Sequence, residues 1–83
     1  MIYTVVSLPG VDDELALIWM QARDRPAVTA ASNRIERALK RDADRKGTLL
    51  DDGSRVYFDS PLYVNYTVSP DDRLVTILGF RHV

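Results

Sequence analysis

The chain has 83 residues, 46% of them hydrophobic and 28% charged, with 11 Lys+Arg against 12 Asp+Glu and no cysteine. A chain this short buries about 60 to 65% of its unfolded surface, which allows one domain, residues 1–83, around a single core and excludes large enzymes with closed clefts. Without cysteine there are no disulfides, thiolate metal sites or Cys nucleophiles, and a reducing, cytoplasmic setting costs such a chain nothing.

Apolar runs such as Leu15 to Met20 fall far short of the roughly 18 residues needed to span a bilayer. Nothing basic precedes that run, so neither a membrane helix nor a signal peptide is expected. A formal net charge of -1 gives no global pull toward nucleic acid. The basic residues are nine Arg to two Lys, and Arg favours forked contacts to phosphate or carboxylate.

Ile2-Tyr3-Thr4-Val5-Val6 is β-branched and aromatic and reads as a strand, ended by Ser7-Leu8-Pro9-Gly10. Leu8, Val11, Leu15, Ile18, Trp19 and Ala22 then recur at steps of three and four, one stripe of a first helix. Asp12, Asp13 and Glu14 suit its positive N-terminal end; Ser7 is the expected N-cap, and Pro9 fits the first turn. Trp19, on the stripe with Leu15 and Ile18, is expected in the core.

Asp24-Arg25-Pro26 breaks this helix and starts a second, because the residue before a proline is pushed out of the α region. Val28, Ala31, Ile35, Ala38 and Leu39 form its apolar face, and Gly47 is expected to end it. Arg34, Arg37, Lys40, Arg41, Arg45 and Lys46 crowd the remainder, with Glu36, Asp42 and Asp44 among them. Such a run is a solvated face or a contact surface for an acidic partner or ribosomal RNA.

Thr48 to Ser54 is a polar loop with an Asp-Asp-Gly turn signal, and Arg55-Val56-Tyr57-Phe58 is a short strand closed by Asp59-Ser60-Pro61. At its start, Arg55 would pair with Asp51, Asp52 or Asp59. From Leu62 the chain alternates strictly, sending Leu62, Val64, Tyr66 and Val68 inward and Tyr63, Asn65 and Thr67 to a wetter face. Tyr63 is thus an exposed aromatic able to stack on a base or anchor a peptide. Ser69-Pro70-Asp71-Asp72 is a turn by residue type, so Arg73 to Phe80 returns antiparallel. That last strand is apolar on both sides and belongs inside the sheet, with the first strand on its far side.

The result is an α+β fold, β-α-α-β-β-β, with a helical hairpin packed on a mostly antiparallel four-stranded sheet. Cofactors are not expected: one His among scattered carboxylates forms no metal-ligand set, and Gly47 and Gly53 make no phosphate loop.

Several pieces together resemble the RelE/ParE superfamily of small bacterial toxins from type II toxin-antitoxin modules. They are the Tyr3-Thr4-Val5 strand with the following helix bearing Leu15 and Trp19, the segment Arg34-Ile35-Glu36-Arg37-Ala38-Leu39, the run from Pro61 to Val68, and the closing Asp72 to Arg81. The resemblance implies a toxin, in some cases a plasmid-stabilising one, neutralised by a cognate antitoxin that wraps a segment over the helices and sheet. It also implies one of two activities. RelE-like members are ribosome-dependent mRNA endonucleases that inhibit translation, whereas ParE-like members inhibit DNA gyrase without nuclease chemistry.

Metal-free RNA cleavage needs a base for the 2′-hydroxyl, a cation for the charge gathering on phosphorus and an acid for the leaving oxygen. The resemblance assigns such roles to Arg55 and to Arg81 in Gly79-Phe80-Arg81; His82, the one imidazole of the chain, follows at once. Tyr63 and Tyr66 are candidates to line the same surface, and the basic run makes Arg37, Lys40 and Arg41 candidate RNA or partner contacts. Against the family pattern, Phe80 stands where His is usual and Tyr63-Val64-Asn65 where a further basic residue is common. A gyrase inhibitor, or a catalytically degenerate antitoxin-binding module, is therefore the alternative to a metal-independent endoribonuclease.

Overall fold

A computed structural model describes residues 2–83. The elements run β1 (Thr4–Ser7), α1 (Val11–Gln21), α2 (Arg25–Asp42), β2 (Thr48–Leu49), β3 (Arg55–Asp59), β4 (Leu62–Ser69) and β5 (Leu74–His82). The sheet order is β1-β5-β4-β3-β2; β1 is parallel to β5 and every other pairing is antiparallel. The last strand is thus interior with β1 on its far side, as its two-sided apolar pattern requires.

The sheet has five strands rather than the four expected. Part of the supposed loop folds back, with Thr48 opposite Val56 and Leu49 opposite Arg55. Asp52 tightens the connection by accepting the Ser54 N–H at 2.9 Å and the Ser54 hydroxyl at 2.7 Å, and Gly53 supplies the positive φ of 87° the turn needs.

The entry to α1 also differs from expectation. Leu8 N–H still donates to the Ile77 carbonyl at 3.0 Å, prolonging the β1–β5 ladder past Ser7. The chain must then reverse abruptly, which it does at Gly10 with φ 89°, so the N-cap is this glycine and makes no side-chain bond; Ser7 remains in the strand and Pro9 lies outside the helix. Val11 is buried, and Leu15, Ile18 and Ala22 pack on the core. Trp19, expected inside, is 41% exposed. Its ring carries the Arg25 guanidinium 4.9 Å from the centroid, while Arg25 donates to the Trp19 and Met20 carbonyls at the frayed end of α1.

The start of α2 is as read: Asp24 accepts the Ala27 N–H at 3.0 Å and Pro26 occupies the first turn. Val28, Ala31, Ile35 and Leu39 are buried on one face. The helix stops at Asp42, before Gly47, because the Asp42 carbonyl takes the Arg45 and Lys46 N–H groups in a turn. Gly47, with φ 67°, instead lets the chain cross β3, where a Cβ would fall on the Val56 carbonyl oxygen.

In β4, Leu62, Val64 and Tyr66 are fully buried and Tyr63, Asn65 and Thr67 only partly so, as the alternation requires. Opposite them β5 changes phase. Tyr66 pairs with Ile77 but Asn65 with Gly79, so Leu78 is the extra residue of a bulge. This turns Phe80 back to the core beside Val75 and Ile77. Among the described residues no helix is long and apolar enough to cross a membrane.

Candidate functional site

Both helices lie on one face of the sheet and leave the other open. Cross-strand register gives that face its rows, because residues directly opposite share a side. Phe58, Tyr63 and Arg81 form one row across β3, β4 and β5; Val56, Asn65 and Gly79 form the next. Two aromatic rings and a guanidinium therefore line up at the end of the sheet. Phe58 is 59% exposed and Arg81 is also exposed, so neither is committed to packing.

Asn65 holds this face in shape. Its Nδ2 donates to the Ser54 hydroxyl and to the Arg55 carbonyl, both at 3.0 Å. Ser54 is buried although polar, and these bonds explain why. Through Ser54 the network reaches Asp52, whose carboxyl is held below its ordinary value by the Ser54 hydroxyl and N–H.

His82 is next to Arg81 in sequence but pairs with Leu62, the register position of the helix side. The strand continues to His82, and the Val83 N–H donates to the Pro61 carbonyl at 3.0 Å, so this end is tied to the β3–β4 turn. His82 borders a groove of about 490 Å³ on the open face, with Val56, Tyr63, Asn65 and Arg81, and two more beside α1. One, about 620 Å³, runs between α1 and the end of β5 and is also lined by Glu14, Tyr63, Asn65 and Arg81. The other, about 680 Å³, lies where the α1–α2 junction meets Ser60 and Pro61. Arg81 and His82 thus approach the groove between α1 and β5 from the two sides of β5.

Arg55 is elsewhere. It pairs with Tyr66, an inward residue, and its Nε donates to the Lys46 carbonyl at 3.0 Å. None of the three expected aspartates receives it: Asp59 is taken by Arg34 in a forked ion pair, with Nε and Nη2 at 3.0 and 2.8 Å. Arg55 is therefore on the helix side of the sheet, apart from Arg81 and Tyr63.

Arg37, Lys40 and Arg41 line a separate shallow groove on the outer side of α2 together with the exposed Ile2. Lys40 is paired with Glu36 at 3.3 Å. This basic surface and the Tyr63–Arg81 row face opposite directions across the molecule. The described residues contain no group of three or more His, Asp or Glu able to hold a metal.

One residue at the groove between α1 and β5 escaped sequence reading. Glu14, on α1, accepts the Phe80 N–H at 2.6 Å from 66 positions away. Its place in the acidic first turn of a helix is explained by the helix dipole alone, so nothing local in the sequence marks it.

No family profile matches the sequence, and no curated protein sequence matches it. Solved structures do match in fold. One chain of the RelBE2 toxin-antitoxin complex from Mycobacterium tuberculosis aligns with a TM-score of 0.77 at 17% identity, covering 100% of this chain and 93% of its own. A chain of the chromosomal ParDE toxin-antitoxin system from P. aeruginosa gives 0.76 at 13% identity, covering 99% and 97%. One from the YoeB-YefM complex of Staphylococcus aureus gives 0.66 at 13%, covering 98% and 97%. The fold is that of the RelE/ParE-like toxins, two helices on a mostly antiparallel sheet.

Proposed function

We propose that this chain is the toxin of a type II toxin-antitoxin module, restrained by a cognate antitoxin, and that it acts as a metal-independent endoribonuclease on ribosome-bound mRNA. The observation that carries the reading is the end-to-end likeness to the RelBE2 chain, with no part of this chain left over. Chemistry at the open face supports the activity. Arg81 offers forked donors to a phosphodiester, Tyr63 and Phe58 offer faces on which unpaired bases stack, and His82 supplies an imidazole at the groove for proton transfer to the leaving oxygen. Arg55 is outside the site we propose, and Arg37, Lys40 and Arg41 serve an acidic segment of the antitoxin on the opposite side.

A second reading, gyrase inhibition or a purely antitoxin-binding module, is favoured by the nearly equal likeness to the ParDE chain and by the separation of Arg55 from Arg81. Induced expression of the chain alone separates the readings, with growth, bulk translation and mRNA ends followed together. Arrest with mRNA cut at translated codons is the expected result. Arrest with intact mRNA would move the activity to gyrase or another target, and absence of arrest would leave a binding module.

A further inference from the structure

We propose that Glu14 is the general base of this site, a catalytic carboxylate brought to the open face of the sheet from α1. The inference deepens the nuclease reading above and rests on it. β1 ends at Ser7, and the last rung of its ladder reaches Ile77. Beyond that rung β5 has no strand on its β1 side, and α1 packs along this margin instead. There Glu14 Oε1 takes the Phe80 N–H at 2.6 Å, standing in for a strand carbonyl.

A second measurement fixes the side on which the carboxylate lies. Gly79 is opposite Asn65, so a Cβ on Gly79 would point to the open face; built there, it meets Glu14 Oε1 at 3.1 Å. The carboxylate thus leans over the margin of β5 toward the rows that hold Asn65 and Arg81, and Gly79 is the residue whose missing side chain gives it room. Among the described residues the ion pairs are Arg34–Asp59 and Lys40–Glu36. Among the described residues no cation claims Glu14, which is exposed, and with Oε1 oriented by a backbone N–H, Oε2 is available to an incoming hydroxyl.

In the step assigned, Glu14 takes the proton of a ribose 2′-hydroxyl. The freed oxygen attacks the adjacent phosphorus, and the bond from phosphorus to the 5′-oxygen breaks. That oxygen leaves with a proton from His82 or water. The products are a 2′,3′-cyclic phosphate and a 5′-hydroxyl end, and the proton held by Glu14 returns to solvent. Arg81 faces the phosphoryl oxygens, whose charge grows as the bond forms.

The test is cleavage of a defined mRNA on programmed ribosomes by purified full-length chain, comparing Glu14→Gln, Gly79→Ala and Arg81→Ala. Each is assayed where Trp19 fluorescence shows the protein folded. Gln keeps an oxygen for the Phe80 N–H but cannot take a proton. We expect kcat to fall about 100-fold or more with KM unchanged, the range of a lost general base. Gly79→Ala crowds Oε1 without changing any ionisable group and is expected to lower kcat several-fold. Glu14→Gln cleaving within a few-fold of the parent would overturn the assignment and reduce Glu14 to a strand-margin contact. In that case loss of cleavage in Arg81→Ala would leave the nuclease reading standing. A parent protein that cuts no mRNA would remove both.

Discussion

Tyr66 and Arg55 meet at a single carbonyl oxygen. The Tyr66 hydroxyl lies 2.9 Å from Lys46 O and the Arg55 Nε 3.0 Å from the same atom, with Ala43 O a further 2.9 Å from the hydroxyl. The turn after α2 is thereby fastened to the middle of the sheet, and the phenol, pushed up by burial, stays protonated to do it. Tyr66→Phe leaves the Ala43 carbonyl without a partner and should cost about 1–3 kcal/mol in urea unfolding. A change below a few tenths would mean that water replaces the hydroxyl.

Under the proposed nuclease function, the same geometry predicts different roles for the two arginines. Arg55→Ala should lower stability by about 1 kcal/mol, one net hydrogen bond, and leave mRNA cleavage within a few-fold of the parent. Arg81→Ala should leave stability nearly unchanged and reduce the cleavage rate about 100-fold or more, the loss typical of one charge-stabilising donor. Paired denaturation and cleavage measurements decide it, and equal loss of cleavage in both variants would return Arg55 to the site.

Asp52 gives the turn at Gly53 a defined pH response. Its carboxyl is depressed below 3.8, first by the Ser54 hydroxyl and then by the Ser54 N–H. A carboxyl with a lowered folded value contributes stability above its unfolded value and loses it as pH falls through the folded one. The Asp52 carboxyl carbon should therefore titrate by NMR with a midpoint under 3.8. Ser54→Ala should move that midpoint upward, and an unmoved midpoint would assign the depression to the backbone instead.

Gly47 and Gly53 both have positive φ, at 67° and 87°, yet only Gly47 is hemmed in. Ala at Gly53 meets nothing within 4 Å and should cost only the left-handed backbone penalty, about 1–2 kcal/mol. Ala at Gly47 meets the Val56 carbonyl as well, so its unfolding midpoint should fall clearly further. Equal midpoints would show that the crossing over β3 can shift to make room.

What was legible in the sequence was what is local. The Asp24-Arg25-Pro26 break, the inward Val28-Ala31-Ile35-Leu39 stripe, the Leu62 to Val68 alternation and the turn at Pro70 each depend on residues a few positions apart, and each is found. Tyr63 and Arg81 reached one surface because alternation in β4 placed Tyr63 outward. Most failures are matters of pairing or packing between distant segments, the exceptions being the end of α2 at Asp42 and the Thr48–Leu49 strand, which nearby residues set. The bulge at Leu78 shifts β5 by one position, so that Phe80 rather than Gly79 faces inward. Arg55 falls on the helix side because it is opposite Tyr66. Trp19 has helical spacing suited to burial, but α1 rests on the margin of the sheet, and its second flank is covered only by Arg25. Glu14 acts on a strand 66 residues away, a distance over which no local pattern carries information.

The order of the sheet has a consequence for how copies of this chain meet. Its long strands, β4 and β5, are interior over most of their length, while the outer strands β2 and β1 have two and four residues. An outer strand offers unpaired N–H and C=O groups to any other chain, and very short ones offer too few to template a shared sheet. Where β5 outruns β1, a carboxylate rather than a bare backbone row meets the approaching strand. At high concentration, as when a single gene is overexpressed, the β1 margin thus resists growing strand by strand into an insoluble aggregate, and such growth is confined to Tyr57 to Asp59, where β3 outruns β2.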